Sequence, residues 1–435
     1  MANTYLTRTP SSTSNQQKVT FSVWIKRCKS GGEAIYSIGG SVDQNYYVDL
    51  IFDSDFLEMN WYDGSGNHSI KTNRLFRDTS AWYHLVVAID TTQSTASNRV
   101  KIYVNGILET SFSSADYMNQ NQNMMFNTSS REIRIGQRVN GSDSANIIMS
   151  HFHCSDGYAL APTVFGETDS TTGEWKIKVS PSFTPGTNGF TILKDSNTIT
   201  DQSANSNNFS LGAGAITATK DCPSNVFCTF NKLYNTNANG DLIPVLTSGN
   251  TILLGHGGSY WYQIPGTLAF TSGKFYWECK FNSGTNLDKN TPGVIDYEKC
   301  FGTGQFQDQT GSVFYKNEDG GETRLDSSTS SANYGTLTQN QILGVAVDMD
   351  AGTPTVKFYR NGSLLATVNA SSLAGKFVTP AQMVYGSGQF QLNFGNGYFG
   401  TTAVSSAGTN ASGNGIFEYD VPSGYTALST KGLNL

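Results

Sequence analysis

Alternation with a period of two is the feature that most limits what this chain can become. Val19, Phe21, Val23 and Ile25 are interleaved with Thr20, Ser22, Trp24 and Lys26. Successive side chains of a strand point to opposite faces, so this stretch predicts a half-buried β-strand. The pattern recurs at Leu57, Met59 and Trp61, at Val100, Ile102 and Val104, and at Ile133 and Ile135. It returns at Phe275, Trp277, Cys279 and Phe281, then at Phe390, Leu392 and Phe394. Residues 82–89 (WYHLVVAI) and 342–349 (ILGVAVDM) are more continuously apolar and predict strands buried on both faces. No window sustains a helical period. Residues 100–106 (VKIYVNG) and 356–362 (VKFYRNG) each end in Asn-Gly, which supplies the two positive φ angles of a type I′ hairpin turn.

Composition narrows the classes further. Charged residues make up 14% of the 435 and hydrophobic ones 37%, leaving an unusually large share for Ser, Thr, Asn and Gln. A coiled coil lacks its residues here, and 12% aromatics argue against disorder. The net charge is -6 and no Lys/Arg cluster stands out, so nucleic acid is not expected as a partner. No apolar run is long enough for a membrane span, and the first residues lack the basic and apolar regions of a secretion signal. Synthesis in a cytosol is the corresponding expectation. Six cysteines without CxxC spacing read as buried thiols, although Cys222 and Cys228 are close enough in sequence to bridge.

The predicted fold is all-β: two antiparallel, jelly-roll-like β-sandwiches joined by an irregular connector. The first sandwich is placed at 1–160 and the second at 246–435. Between them, 161–245 carries Pro162, Pro181, Pro185 and Pro223 and polar runs, but also Phe165, Trp175, Phe183, Phe190, Phe209 and Phe227 as anchors. A flexible linker would carry fewer aromatics.

Three resemblances follow from particular stretches. VTFSVWIKR (19–27), WYHLVVAID (82–90), VKIYVNG (100–106) and REIRIGQ (131–137) together resemble the laminin-G-like/concanavalin-A-like sandwich. SGKFYWECKF (272–281), ILGVAVDMD (342–350), VKFYRNG (356–362), QLNFGNGYF (391–399) and YDVPSGYTAL (419–428) resemble a SPRY domain. The opening 5–27, with 156–175 and 201–210, is similar to virion structural proteins of marine bacteriophages. That last resemblance implies a tail fibre, head appendage or capsid decoration protein on the virion surface. Its partners would be other virion proteins and host surface polysaccharide, with assembly as a homo-oligomer, a trimer being one form. An architectural cementing protein and a glycan depolymerase are the alternatives.

Catalytic patterns are scarce. The E-x-D-x-x-E strand of one glucanase family is absent, since neither Glu167-Thr168-Asp169 nor Glu418-Tyr419-Asp420 continues to a third carboxylate. No G-x-S-x-G elbow and no P-loop occur. The protein is therefore expected not to be an enzyme. His151 and His153 share a strand face and suit a two-ligand metal anchor; the expected reading is a polar outer face with Phe152 in the core. Asp53, Asp55 and Glu58 have two readings, loop oxygens for Ca²⁺ and a solvated turn, of which the turn is expected. For sugars, the chemistry needed is an aromatic face beside amides and carboxylates. Trp61, Tyr62, Asp63, Asn67 and His68 form one candidate glycan-binding group, and Tyr260, Trp261 and Tyr262 a second. The competing reading for Trp61 and Trp261 is core filling, the role expected of Trp24, Trp82 and Trp277.

Overall fold

A computed structural model describes residues 3–39, 46–234, 244–282 and 287–434. It divides into two units, Met1–Ala218 and Thr219–Leu435. Among the described residues regular structure consists of strands and short 3-10 turns, with no α-helix. Each unit pairs an eight-stranded sheet with a six-stranded one, almost wholly antiparallel. The all-β, two-sandwich fold class is thus what the chain adopts.

In the first unit the larger sheet runs from the edge strand Phe112–Ala115 through Asn67–Leu75, Phe56–Tyr62, Tyr47–Asp53, Glu33–Gly39, Glu132–Ile135 and Tyr5–Arg8 to Ser210–Ala213. The smaller sheet centres on Lys18–Arg27 and Trp82–Asp90. Their facing side chains, among them Val19, Phe21, Leu50, Met59 and Ile89, build one core. Both Asn-Gly turns adopt the positive φ pair that the sequence predicts, 48° and 78° at Asn105 and Gly106, 45° and 80° at Asn361 and Gly362.

Two expectations change. Lys18–Arg27 is buried on both faces rather than one. The cause is the stretch after residue 160, which folds back over the outer face of the smaller sheet. Trp175 stacks on His84 (5.9 Å), and its indole N–H donates to His84 Nδ1 at 2.9 Å. The single imidazole N–H is thereby placed on Nε2, which donates to Ser22 Oγ 3.0 Å away. Trp24 covers the other side of the same ring, 4.7 Å from it. Phe165 likewise stacks on His153 and Phe183 meets it edge-on, the three rings forming one cluster, while the neighbouring Phe152 is in the core. The boundary between units therefore lies at 218/219, inside the stretch 161–245 that reads as a connector. Residues up to 218 belong to the first unit, and Phe227, Cys228, Phe230 and Tyr234 enter the second core.

The second unit has the same construction. Lys274–Phe281 is the hub of its larger sheet, flanked by Ile342–Asp348 and Gln389–Asn393. Glu278, on its outer face, is fully buried and accepts backbone N–H groups from Glu418 and Tyr419, each at 2.9 Å. Tyr276 and Asn393 also donate to it, at 3.2 and 3.4 Å. This one carboxyl docks the C-terminal segment over the sheet. All six cysteines are free, and five are buried. Cys222 and Cys228 are not bridged.

Buried titratable groups on the smaller sheet of the first unit and the larger sheet of the second carry opposite pH dependence. Burial lowers His84 and His153 to about 3 and His151 to about 4, from an ordinary 6.5. The unfolded chain binds these protons and the folded one refuses them. Their contribution to stability is complete above 6.5 and is lost as pH falls toward the folded values. Glu278 is raised to about 7, burial prevailing over its four donors. Its unfolded form ionises near 4.5, so its contribution is lost as pH rises from 4.5 to about 7. Amide exchange, corrected for its intrinsic pH dependence, should therefore show protection in Lys18–Arg27 rising with pH over 4.5–6.5. Protection in Lys274–Phe281 should fall across the same window. Glu278→Ala, which leaves two backbone donors without acceptors, should cost the second unit about 3 kcal/mol in urea unfolding.

Candidate functional site

The strands Tyr47–Asp53, Phe56–Tyr62 and Asn67–Leu75 pair in register, so their side chains sort cleanly by face. Leu57, Met59 and Trp61 point into the core, and Glu58, Asn60 and Tyr62 point out. Across the ladder Asn60 lies opposite Asp49 and Ser69, Tyr62 opposite Tyr47 and Asn67, and Glu58 opposite Lys71. The result is a polar floor bordered by tyrosines.

Part of this outer face is closed. Ser37 and Asp49 are buried beneath the turn at 136–146, where Arg138 donates to Asp49 and the amide of Val139 donates to Ser37 Oγ. Burial raises the Asp49 carboxyl against the pull of Arg138. Beyond Asp49 the floor is partly exposed at Glu58, Asn60, Tyr62 and Ser69. Asn60 Oδ1 is inaccessible to solvent yet has no hydrogen-bond partner. Ser69 and Ser114 exchange a hydroxyl contact at 3.0 Å beside it. Burial also raises Glu58, partly offset by Lys71.

On the inward side of the same strand ends, His68 lies opposite Trp61 and ties down the turn after Tyr62. Its Nδ1–H donates to Asp116 at 2.6 Å, and Nε2 lies 3.3 Å from Asp63. Asp63 also accepts from the Ser65 amide and hydroxyl; despite its desolvation, these bonds and His68 bring it down to about 2. Tyr47 donates its hydroxyl to Asn67 at 3.0 Å, which fixes that amide at the edge of the floor.

The structure separates the eight sequence candidates. Tyr62 and Asn67 lie on the outer face and Asp63 in the turn that follows, whereas His68, opposite Trp61, lies on the inward side. Trp61 is 1% exposed, within the core, and stacks on His68 at 5.4 Å, so its ring cannot receive a sugar. The register settles this, because Trp61 shares the inward face with Met59. In the second unit Tyr262 is also lost, buried at 1% with its hydroxyl bound to the Gly257 carbonyl. Tyr260 is 56% exposed, and Trp261 lies edge-on to Tyr385 at 5.4 Å, with Lys289 Nζ 4.4 Å from that ring. Asn60 and Ser69 are the residues that sequence reading missed, and no local pattern marked them as more than outward-facing strand positions.

Neither metal reading gains a site. Lys71 Nζ closes on Asp53 and stands 3.8 Å from Glu58, while Asp55 pairs with Arg27 and Arg77. Cations of the chain itself thus occupy the carboxylates considered for Ca²⁺. Among the described residues no group of three or more His, Cys, Asp or Glu side chains is arranged to hold a metal ion.

Residues 2–163 match a family model. Its description is the Concanavalin A-like lectin/glucanases superfamily, the Laminin_G_3 family. No curated protein matches the chain. Similar solved structures include the SPRY domain of human HERC1, at 18% identity and TM-score 0.28, over 33% of this chain and 87% of that one. The TRIM65 PSpry domain aligns at 15% identity and TM-score 0.31, over 38% and 88%. A heptameric SAP-like pentraxin from Limulus polyphemus aligns at 18% identity and TM-score 0.26, over 36% and 71%.

His68 gives a direct test. The hydrogen bond to Asp116 is the largest cause of the raised His68 pKa. A raised imidazole stabilises the fold below its unfolded value of 6.5, and that contribution is lost as pH rises through the folded value. NMR titration should place His68 above 6.5, and Asp116→Asn should bring it back toward that value.

Proposed function

We propose that this chain is a non-enzymatic carbohydrate-binding protein of a bacteriophage surface, a tail fibre, head appendage or decoration protein that contacts host envelope glycans. The observation that carries the binding part is the partly exposed polar floor at Asn60, Tyr62 and Ser69. Sugar hydroxyls would meet the exposed part of the Asn60 amide and the Ser69 hydroxyl, and Tyr62 offers a ring edge and face to sugar C–H groups. The superfamily description of residues 2–163, lectin and glucanase, is compatible with this chemistry. The phage setting rests on the resemblance of residues 5–27, 156–175 and 201–210 to virion proteins. In that setting the partners are other virion proteins and host polysaccharide, and the chain sits on the virion surface as a homo-oligomer. Weak sites repeated over a particle gain by avidity.

The glucanase half of the description makes turnover the competing reading. Glu58 and Asp53 are the carboxylates nearest the floor, but Lys71 stands between them, where a retaining mechanism needs substrate between two carboxyl groups.

Affinity electrophoresis of the whole protein through gels containing host surface polysaccharide tests the reading. Retardation is expected, with Asn60→Ala and Tyr62→Ala each weakening it about tenfold, roughly 1.4 kcal/mol. Release of reducing ends that Glu58→Gln abolishes would overturn the non-enzymatic assignment. Purified protein that neither labels host cells nor competes with phage adsorption would overturn the adhesin.

A further inference from the structure

The floor has a definite electrostatic character. Lys71 is held by Asp53 and Glu58. Arg138 is held between Asp49 at 2.7 Å and Asp143 at 3.3 Å. Arg134, further along the same face, lies 2.9 Å from Glu132. Three cationic groups thus stand against five carboxylates, and each cation has at least one carboxylate within 4 Å.

Recognition of a sulfate or uronate requires a cation that can turn toward it. Here an anionic ligand would have to displace a bound carboxylate, and it would meet the surplus negative charge of the face while doing so. An uncharged ligand meets neither cost. What the floor offers instead is the partly exposed Asn60 amide, the hydroxyls of Ser69 and Ser114, and the ring of Tyr62. These groups match vicinal hydroxyls and an apolar sugar face.

We infer that this face binds a neutral polyhydroxylated polymer and discriminates against sulfated and uronic-acid glycans. The inference rests on the glycan-binding reading above and narrows its ligand class. The ion pairs set the discrimination, and Asn60 with Tyr62 sets the affinity.

Matched pairs of polymers separate the two readings. Whole protein would be run through gels containing neutral glucans, mannans and galactans, and through the sulfated derivative of each. The expected result is retardation by at least one neutral polymer, reduced at least tenfold on sulfation. Asn60→Ala should weaken the neutral interaction, and Tyr62→Ser, a neighbouring variant on the same face, should do so independently. A sulfated or uronic polymer that binds more tightly than its neutral parent, and loses that binding in Asn60→Ala, would overturn the neutral class and leave the glycan reading standing. Failure of every neutral and anionic polymer to retard the protein would overturn both.

Discussion

Every sheet in this molecule has a second face, and what happens to that face governs the rest of the structure. A sandwich buries only the inner surfaces of its two sheets. In both units the outer surfaces are then largely covered by segments inserted between or after the strands. Each cover is docked by one buried polar side chain rising from the sheet. His84 receives the Trp175 indole, and Asp49 receives Arg138. Glu278 receives the amides of Glu418 and Tyr419, and Gln263 exchanges hydrogen bonds with Phe306 and Gly304. All four docking residues are buried, so each satisfied bond fixes a cover that apolar contact alone would leave free to slide.

The candidate site is where covering stops. The turn that closes over Asp49 reaches no further than Arg138, and the next strands expose Asn60, Tyr62 and Ser69. Strand edges and ion pairs surround this opening, and His68 ties down the Gly-containing turn beside it. In the second unit Tyr260 and Trp261 mark a comparable limit, beyond the cover that Gln263 anchors. Rigid β-ladders set both places, which favours recognition by a preformed surface.

How far the sequence was legible depended on which interactions were local. The alternating strands, both type I′ turns and the core role of Trp277 follow from period and turn chemistry, and they stand, whereas Trp24 and Trp82 are buried on the outer face of their sheet. Trp61 was a candidate for sugar contact because it adjoins a polar turn and Tyr262 because it is one of three adjacent aromatics, yet strand parity turns both inward. Asn60 carried no local signal. Its interest arises from a partly exposed amide beside residues from two other strands, a property no single stretch encodes. The segment 161–245 looked like a connector for the same reason: short apolar clusters reveal that they are anchored, not what anchors them.

By itself, then, the sequence determined an all-β chain of two sandwiches, because side-chain period and Asn-Gly φ preferences are properties of neighbouring residues. Tertiary structure alone decided that the middle of the chain divides at 218/219 and seals the smaller sheet of the first unit. It also decided that the cations of the open face are neutralised in place. Those outcomes depend on which distant strands lie side by side, and on charges brought within 4 Å by register rather than by sequence.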